Sequence, residues 1–205
     1  MNELKVTEIL KNDLGFSNSS IEKIKKFNNY LLKYNKSYNL ISKSTEDNIW
    51  HRHILDSAQI IKFIDFSKTK NLADFGSGAG FPGLIIALYN ENSAFHVKLY
   101  EKSQVKRDFL RDVKNNLNIK NITIENNVYE KEVLAEVIVC RAFKKLDEIL
   151  GISREIVKKP HKLIILKGKN AQSEINNVSL ESNYSYKMEK SITDVDSKII
   201  IVEVK

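Results

Sequence analysis

The sequence predicts an α/β fold in which helices cover both faces of a mostly parallel sheet, with an antiparallel pair of strands at its edge. Three observations predict it: helical spacing of apolar residues before residue 66, short apolar runs that alternate with helical stretches after residue 71, and a glycine-rich turn behind the first run. The 205 residues suffice for one good-sized core. We therefore expect a helical extension over residues 1–66, packed on a single core of residues 67–205.

The N-terminal extension is predicted to contain helices. Ile21, Ile24 and Phe27 begin an apolar series at the three-to-four spacing of an amphipathic face, and the serines between residues 17 and 20 are candidate caps. A second helix should follow Thr45 and run to Ile64.

From residue 71 the pattern becomes strand, helix, strand, which indicates a parallel sheet. The final two strands are joined by a segment too short for a crossover helix, so they should form an antiparallel hairpin at the sheet edge. The predicted strands are residues 72–75, 96–100, 122–124, 137–140, 163–166, 184–188 and 199–204, and the helices of the core are residues 84–89, 105–117 and 146–157.

Composition narrows the class of protein. The net charge of +7, from 33 basic and 26 acidic side chains, favours a polyanionic partner such as nucleic acid. The single cysteine rules out an internal disulfide framework and fits a reducing cytoplasm. The N-terminus lacks an apolar core of signal-peptide length and no apolar run spans a membrane, so we expect a cytoplasmic protein without a membrane partner.

The glycine-rich turn is the first chemical motif. Gly76, Gly78 and Gly80 follow the first predicted strand and precede a helix whose first turn should contain Pro82. Glycines allow close approach of a ligand to the backbone, and the helix offers free N–H groups, so a nucleoside cofactor is expected here. The dinucleotide fingerprint requires a sixth-position glycine, but Phe81 occupies that position.

The G-x-G-x-G spacing resembles instead the first motif of Rossmann-like, S-adenosylmethionine-dependent methyltransferases. In that motif an acidic residue two before the first glycine, here Asp74, faces the methionine end of the cofactor. Glu101 ends the next predicted strand, where a carboxylate can accept both ribose hydroxyls. The alternatives are a capping role for Asp74 and a surface ion pair of Glu101 with Lys102 or Lys106.

Five segments in order resemble the bacterial 16S ribosomal RNA guanine-N7 methyltransferases, the family also called glucose-inhibited division protein B. They read Tyr-Asn-Lys-Ser-Tyr-Asn-Leu at residues 34–40, Arg-His-Ile-Leu-Asp-Ser at 52–57, Phe-Pro-Gly at 81–83, Val-Cys-Arg-Ala-Phe at 139–143 and Lys-Gly at 167–168. The chain departs from the family at Ile85, where many members have proline, at Glu101, where aspartate is commoner, and at Val105, where lysine is usual.

The resemblance implies S-adenosylmethionine as cofactor and 16S rRNA or the small ribosomal subunit as partner. We expect a monomer without a metal. Cofactor contacts are expected from Asp74, Gly76, Gly78, Gly80, Phe81, Glu101, Val128, Tyr129 and Arg141, and RNA contacts from Lys33, Lys36, Arg52, Lys144 and Lys145. A wider basic set could form a phosphate-binding face: those lysines with Lys106, Arg107, Lys158, Lys159 and Lys169.

Guanine N7 has a free lone pair and no proton to lose, so this reaction requires positioning and no general base. Arg141 is the candidate positioning residue; it could contact the cofactor, pair with a substrate phosphate or cap a strand end. Phe81, Tyr129 and Phe143 could stack on the cofactor adenine or the target base, or be ordinary core aromatics.

Other chemistries fit less well. The chain lacks the Pro-Pro pair of exocyclic-amine methyltransferases, and Cys140 ends an apolar strand, which favours packing over a nucleophilic role. His51 and His53 lie on different helix faces without a third ligand, which favours packing or capping over a metal site. A methyltransferase acting on protein or small molecules, and a non-catalytic RNA-binding module, remain alternatives.

Overall fold

The computed structural model describes residues 1–205 except 91, 131 and 179–183. Its described residues form a seven-stranded sheet in the order β3-β2-β1-β4-β5-β7-β6. The strands are β1 Asn71–Phe75, β2 His96–Tyr100, β3 Ile122–Glu125, β4 Val137–Arg141, β5 His161–Lys167, β6 Tyr184–Lys190 and β7 Lys198–Val204.

Strands β1 to β5 are parallel, and β7 runs antiparallel to both β5 and β6. The predicted fold class and the C-terminal hairpin are thus confirmed. The second strand of the hairpin, β7, lies between β5 and β6, so β6 is the edge strand. Parallel pairing brings the carboxyl ends of β1 to β5 to one edge of the sheet. Every segment that leaves one of these strands begins at that edge.

The N-terminal region is helical, as predicted, but the second predicted helix is broken into short pieces. A π-helical turn over Trp50–Leu55 continues into a short α-helix over Asp56–Ala58 and then a 3-10 turn over Gln59–Phe63. Pro82 precedes its helix by one residue and does not lie in the first turn. The helices are α1 Glu3–Asn12, α2 Asn18–Tyr38, α3 Lys43–Glu46, α4 Asp56–Ala58, α5 Gly83–Tyr89, α6 Gln104–Asn116, α7 Leu146–Ile156 and α8 Ala171–Asn176.

Alternating side chains of the inner strands, such as β1, β4 and β5, enter two apolar layers, as the twofold period of a strand requires. Leu72 packs with the N-terminal helices, α5 and α6 on one face, whereas its neighbour Ala73 packs with α7 and α8 on the other. Phe27 of α2 lies against Phe81 and Phe109, with ring centroids 5.4 Å and 6.3 Å apart. The N-terminal helices therefore share a core with the sheet. No helix of the described residues is long and apolar enough to cross a membrane.

Candidate active site

A cavity of about 920 Å³ lies at the carboxyl edge of the parallel strands. The segments that follow β1, β2, β3, β4 and β5 form its inner walls. Residues of the N-terminal region and the connection between β6 and β7 complete it. Ligands of open α/β sheets bind outside the carboxyl ends of the strands, so this cavity is the candidate active site.

The glycine turn forms one wall of the cavity. The backbone N–H groups of Gly76 and Ser77 both donate to the carbonyl of Tyr100, each across 2.9 Å, which fixes the turn to the end of β2. Gly76 has a φ of +75°, and a Cβ there would lie 2.5 Å from Cδ2 of Phe143. The glycine is needed for both the left-handed backbone and the close packing of that ring.

Glu101 lies between the glycine turn and α6, and it lines the cavity. One carboxylate oxygen accepts from the N–H of Gly78 at 2.9 Å, and the other accepts from the N–H of Ser103 at 2.8 Å. The side chain is therefore held by the backbone on both sides. Because each carboxylate oxygen has two lone pairs, one acceptor position remains on each oxygen for a ligand.

Asp74 lies beneath the turn, outside the lining of the cavity, and is fully buried. Its Oδ2 accepts from the N–H of Gly83 at 2.9 Å, while Oδ1 has no partner among the described residues. Burial raises the pKa of this carboxyl to about 7, against the opposing effects of the Gly83 N–H and the positive charge of Arg141. Gly80, also a predicted cofactor residue, likewise lies outside the lining.

Arg141 is the last residue of β4 and joins three parts of the chain. Its Nη1 donates to the carbonyl of Arg52 at 2.8 Å and to Oδ2 of Asp56 at 3.3 Å, and its Nη2 lies 2.7 Å from Nδ1 of His53. The guanidinium also lies 5.2 Å from the ring centroid of Phe81. Two segments singled out in the sequence, 52–57 and 139–143, thus form one hydrogen-bonded network.

His53 is neutral in this network. Burial, followed by the positive charges of Arg141 and Arg52, lowers its pKa to about 3. Its ring stacks on Phe81 with centroids 5.1 Å apart, and its Nε2 lies 2.9 Å from Oγ1 of Thr45. The packing or capping role expected of His53 agrees with these contacts.

Asp56 extends the network to the connection between β6 and β7. Its Oδ1 accepts from Oγ1 of Thr193 at 2.7 Å and from the Gln59 amide at 2.9 Å. Arg52 of the π-helical turn donates to Asp194, the residue after Thr193, at 3.0 Å. Arg52 of the π-helical turn and Asp56 of α4 therefore hold the outer wall of the cavity to the C-terminal hairpin.

The family-like segments at residues 34–40 and 167–168 have structural roles. Asn35 is buried and accepts from the N–H of Ile41 at 2.9 Å, and Asn39 ends α2 in the left-handed conformation. Together they direct Leu40 and Ile41 into the cavity wall.

At the end of β5, the Lys167 ammonium pairs with Glu174 at 2.8 Å and donates to the carbonyl of Lys144 at 2.5 Å. Glu174 also accepts from the N–H of Leu146 at 2.7 Å, so α8 supports the start of α7.

The other predicted cofactor residues meet at the cavity. Val128 is buried and Tyr129 is 48% exposed, and both line it through the 3-10 turn Val128–Glu130. Phe143 lines it too and packs against Phe75, with ring centroids 6.1 Å apart. Phe81 is buried between Phe27, His53 and the Arg141 guanidinium while still reaching the cavity.

The basic residues do not form a single face. Arg107 is buried, where it donates to the carbonyls of Glu101 and Lys102, so it cannot belong to a solvent-facing set. Lys158 and Lys159 precede β5 and so lie at the edge of the sheet opposite the cavity. At the cavity lie Arg52, Lys106 and Lys144, while Lys33, Lys36 and Lys145 are exposed outside its lining.

Cys140 is buried, and burial raises the pKa of its thiol to about 12, which excludes a thiolate nucleophile at neutral pH. The expected packing role of this cysteine is confirmed. Among the described residues, no group of three His, Cys, Asp or Glu side chains is placed to hold a metal ion.

Sequence reasoning missed several residues of the cavity. Thr45 and Asp56 were inside or beside recognised segments, so the signal was available but pointed to no role. The connection between β6 and β7 carries no motif, and its place in the wall follows from the hairpin alone. The cavity residues without a predicted role include Leu40, Ile41, Thr45, Asp56, Asn126, Asn127, Ser191, Thr193, Asp194 and Lys198.

Comparison with known sequences gives a family match over most of the chain. The model of the GidB family, described as rRNA small subunit methyltransferase G, matches residues 20–200. Relatives named ribosomal RNA small subunit methyltransferase G include proteins of three bacteria. They are 36% identical over 182 residues in Pelagibacter ubique (86% of this chain, 85% of the relative), 33% over 199 in Orientia tsutsugamushi (97% and 98%) and 39% over 183 in Rickettsia felis (89% and 92%).

Solved structures share the fold at low sequence identity. A SAM-dependent methyltransferase from Aquifex aeolicus aligns with a TM-score of 0.60 at 12% identity, over 78% of this chain and 95% of that one. A putative O-methyltransferase from Klebsiella pneumoniae aligns with a TM-score of 0.60 at 9% identity, over 98% and 96%. The Rossmann-like methyltransferase fold predicted from the glycine turn is therefore confirmed.

Proposed function

The chain belongs to the GidB family, rRNA small subunit methyltransferase G, and from this membership we propose that it transfers a methyl group from S-adenosylmethionine to N7 of a guanine in 16S rRNA. The observation that carries the cofactor assignment is Glu101. Its carboxylate lies beside Gly78 at the carboxyl end of β2, held by two backbone N–H groups, with one acceptor position left on each oxygen.

The residues present fit S-adenosylmethionine. A pair of ribose hydroxyls requires two acceptors side by side, and Glu101 offers them next to a turn whose Gly78 has a φ of +56° and no side chain in the way. We assign cofactor contacts to Gly76, Gly78, Phe81 and Glu101, and to Val128, Tyr129 and Arg141. Asp74 and Gly80 lie outside the cavity lining, and there they support the glycine turn and the start of α5.

When bound, S-adenosylmethionine supplies an electrophilic methyl group on a sulfonium. The protein has to hold the acceptor nitrogen in line with it, and this costs no proton transfer at N7. His53 is unsuited to act as a base because its pKa is far below neutral and both ring nitrogens have partners. Arg141 is the positioning residue, because its guanidinium reaches the cavity from the end of β4.

We assign the RNA partner to the small-subunit rRNA, bound in the cytoplasm by a monomer. Arg52, Lys106 and Lys144 line the cavity, so phosphates beside the target base would meet basic side chains there. Lys33, Lys36 and Lys145 would extend the contact outside the lining. We propose that the extension over residues 1–66 serves the core of residues 67–205 by supplying the outer wall of the cavity.

Methyl transfer to defined acceptors tests the proposal. Tritiated S-adenosylmethionine is incubated with the protein and, separately, with small ribosomal subunits, protein-free 16S rRNA and ribosomal proteins. Label in a 16S nucleotide that mass spectrometry identifies as N7-methylguanosine is the expected result. Label in protein, or in another guanine atom, would contradict it, as would binding of RNA without any transfer.

A further inference from the structure

We propose that His53 is a positioning residue that holds Arg141 toward the cavity through its neutral Nε2–H tautomer; this rests on the proposed function, in which Arg141 contacts a ligand. Arg141 is the last residue of β4, whereas His53 lies 88 residues earlier in the π-helical turn Trp50–Leu55. Nothing in the catalytic assignment above requires a histidine at this place.

The hydrogen bonds determine the tautomer. An arginine guanidinium only donates, so Nδ1 of His53, 2.7 Å from Nη2 of Arg141, must be the acceptor and carry no proton. The ring proton then lies on Nε2, which donates to Oγ1 of Thr45 at 2.9 Å. The Thr45 hydroxyl donates in turn to the carbonyl of Ser42 at 2.9 Å. Each of the three hydrogen bonds in this series, from Arg141 through His53 and Thr45 to Ser42, therefore has one donor and one acceptor.

The ring has a fixed position as well as a fixed tautomer. It stacks on Phe81 with centroids 5.1 Å apart at an interplanar angle of 28°, and Phe81 also lies beside the Arg141 guanidinium. The Nδ1 lone pair is thus directed at the N–H on Nη2 of Arg141. A low pKa keeps the ring uncharged, so it does not repel the guanidinium at neutral pH.

Arg141 retains donors for a ligand. Its five N–H groups have three partners among the described residues: the Arg52 carbonyl and the Asp56 carboxylate on Nη1, and His53 on Nη2. The N–H on Nε and the second N–H on Nη2 are left over. Since Asp56 also binds Thr193, its position is set by the hairpin, and His53 is the partner that orients the Nη2 side.

Two substitutions separate the two ring nitrogens. In His53→Asn the amide oxygen falls near the position of Nδ1 and can still accept from Arg141. In His53→Gln the longer amide reaches toward Thr45 and leaves Arg141 without its acceptor. We expect the single-turnover methylation rate to fall by roughly tenfold to hundredfold in His53→Gln, the range for one hydrogen bond to a charged group, and by clearly less in His53→Asn.

A double-mutant cycle with Arg141→Ala shows whether His53 acts through Arg141. If it does, His53→Gln has little further effect on the rate once Arg141 is alanine, because the two residues then share one interaction. His51→Gln, a neighbouring histidine outside the cavity lining, is the matched control, and thermal unfolding of each variant reports its folding. Equal losses in Asn and Gln, or additive losses with Arg141→Ala, would overturn the proposal.

Two further readouts keep this result separate from the proposed function. Long-range proton–nitrogen NMR correlation of the wild-type protein is expected to show the proton of His53 on Nε2; a proton on Nδ1 would overturn the proposal without reference to catalysis. If the wild-type protein methylates no rRNA, the proposed function fails, and the same cycle is measured on the Kd for S-adenosylmethionine. Non-additive losses of affinity would then still support His53 as the residue that positions Arg141, and additive losses would refute it.

Discussion

The N–H of Gly83 donates to Oδ2 of Asp74 across 2.9 Å, so the first residue of α5 gives its free donor to a buried carboxylate beneath the glycine turn. The sequence indicated that this helix would offer its N-terminal donors to the cofactor. Instead, the bond ties β1 to α5. It fixes the two ends of the turn that places Gly76 and Gly78 at the cavity.

Gly83→Ala is expected to destabilise the protein by about 1–3 kcal/mol, the usual cost of forcing extra volume into a packed core. A Cβ at Gly83 would lie 2.6 Å from Cδ2 of Leu99 and 2.7 Å from Oδ2 of Asp74. Denaturant unfolding measures the change. Gly151→Ala is the matched control: within α7 a Cβ meets nothing within 4 Å, so alanine should stabilise by about 0.5–1 kcal/mol. Similar effects at both glycines would contradict this account.

Asp74→Asn should change how stability depends on pH. Burial raises the pKa of Asp74 to about 7, so the native state holds this proton more tightly than the unfolded chain does. The resulting stabilisation is complete below the unfolded pKa of about 3.9 and is lost as the pH rises through about 7. Relative to wild type, Asp74→Asn should therefore become progressively more stable between pH 4 and pH 7. A difference in unfolding free energy between the two proteins that stays constant across this range would show that Asp74 has an ordinary pKa.

Glu101→Ala should weaken S-adenosylmethionine binding by roughly 1.5–3 kcal/mol, the range for hydrogen bonds to a charged group. Calorimetry measures this, and NAD should show no binding to the wild-type protein. Glu155→Ala is a suitable control, because this exposed glutamate lies in the last turn of α7, at the opposite edge of the sheet. Unchanged affinity in Glu101→Ala would remove this residue from the cofactor site.

The single-turnover methylation rate should be nearly constant through the neutral pH range. Guanine N7 loses no proton, and His53, the one histidine among the described residues that line the cavity, has a pKa of about 3. A rate that rises tenfold per pH unit would require a general base and would count against N7 as the acceptor. If a smaller dependence centred near pH 7 appears, its loss in Asp74→Asn would trace it to that buried carboxyl.

The sheet and helices α5, α6 and α7 were predictable because local patterns specify them, whereas α8 was not predicted. Alternation of apolar runs with helical stretches gave β1 to β5, and the glycine spacing located the turn. The breaks after Thr45 were not predictable: Trp50 to Leu55 have the periodicity of an ordinary helix, yet they form a π-helical turn whose Trp50, Ile54 and Leu55 are buried in the core.

The site was predictable only in part, for a similar reason. Glu101 and the glycines are recognised by spacing along the chain, whereas the pairing of Arg141 with His53 joins residues 88 positions apart and depends on how the π-helical turn Trp50–Leu55 lies against the end of β4. The burial of Asp74 likewise depends on how the chain packs and not on the local sequence pattern. A motif records that a carboxylate is present, but only the packed structure determines whether it faces the ligand or the core.

The last prediction concerns which basic residues bind RNA. Replacing Lys144 and Lys145 by alanine should weaken RNA binding and reduce the slope of its logarithm against log salt, by up to about 0.7 per lost phosphate contact for single-stranded RNA. Lys144 and Lys145 follow β4 at the cavity edge, although Lys144 must first exchange its partner Glu148, 2.6 Å away. Cofactor affinity should hardly change.

Lys33 and Lys36 test how far the RNA extends along α2, because both are exposed outside the cavity lining. We expect a smaller slope for their double alanine variant as well. Lys70 and Lys120 supply the control pair: they precede β1 and β3, so they lie at the opposite edge of the sheet, and their removal should leave the slope unchanged. Arg141→Ala should reduce catalysis more than either binding constant. If Arg141→Ala left the single-turnover rate intact and neither the Lys144 and Lys145 variant nor the Lys33 and Lys36 variant changed the slope, the RNA would have to bind elsewhere on the protein.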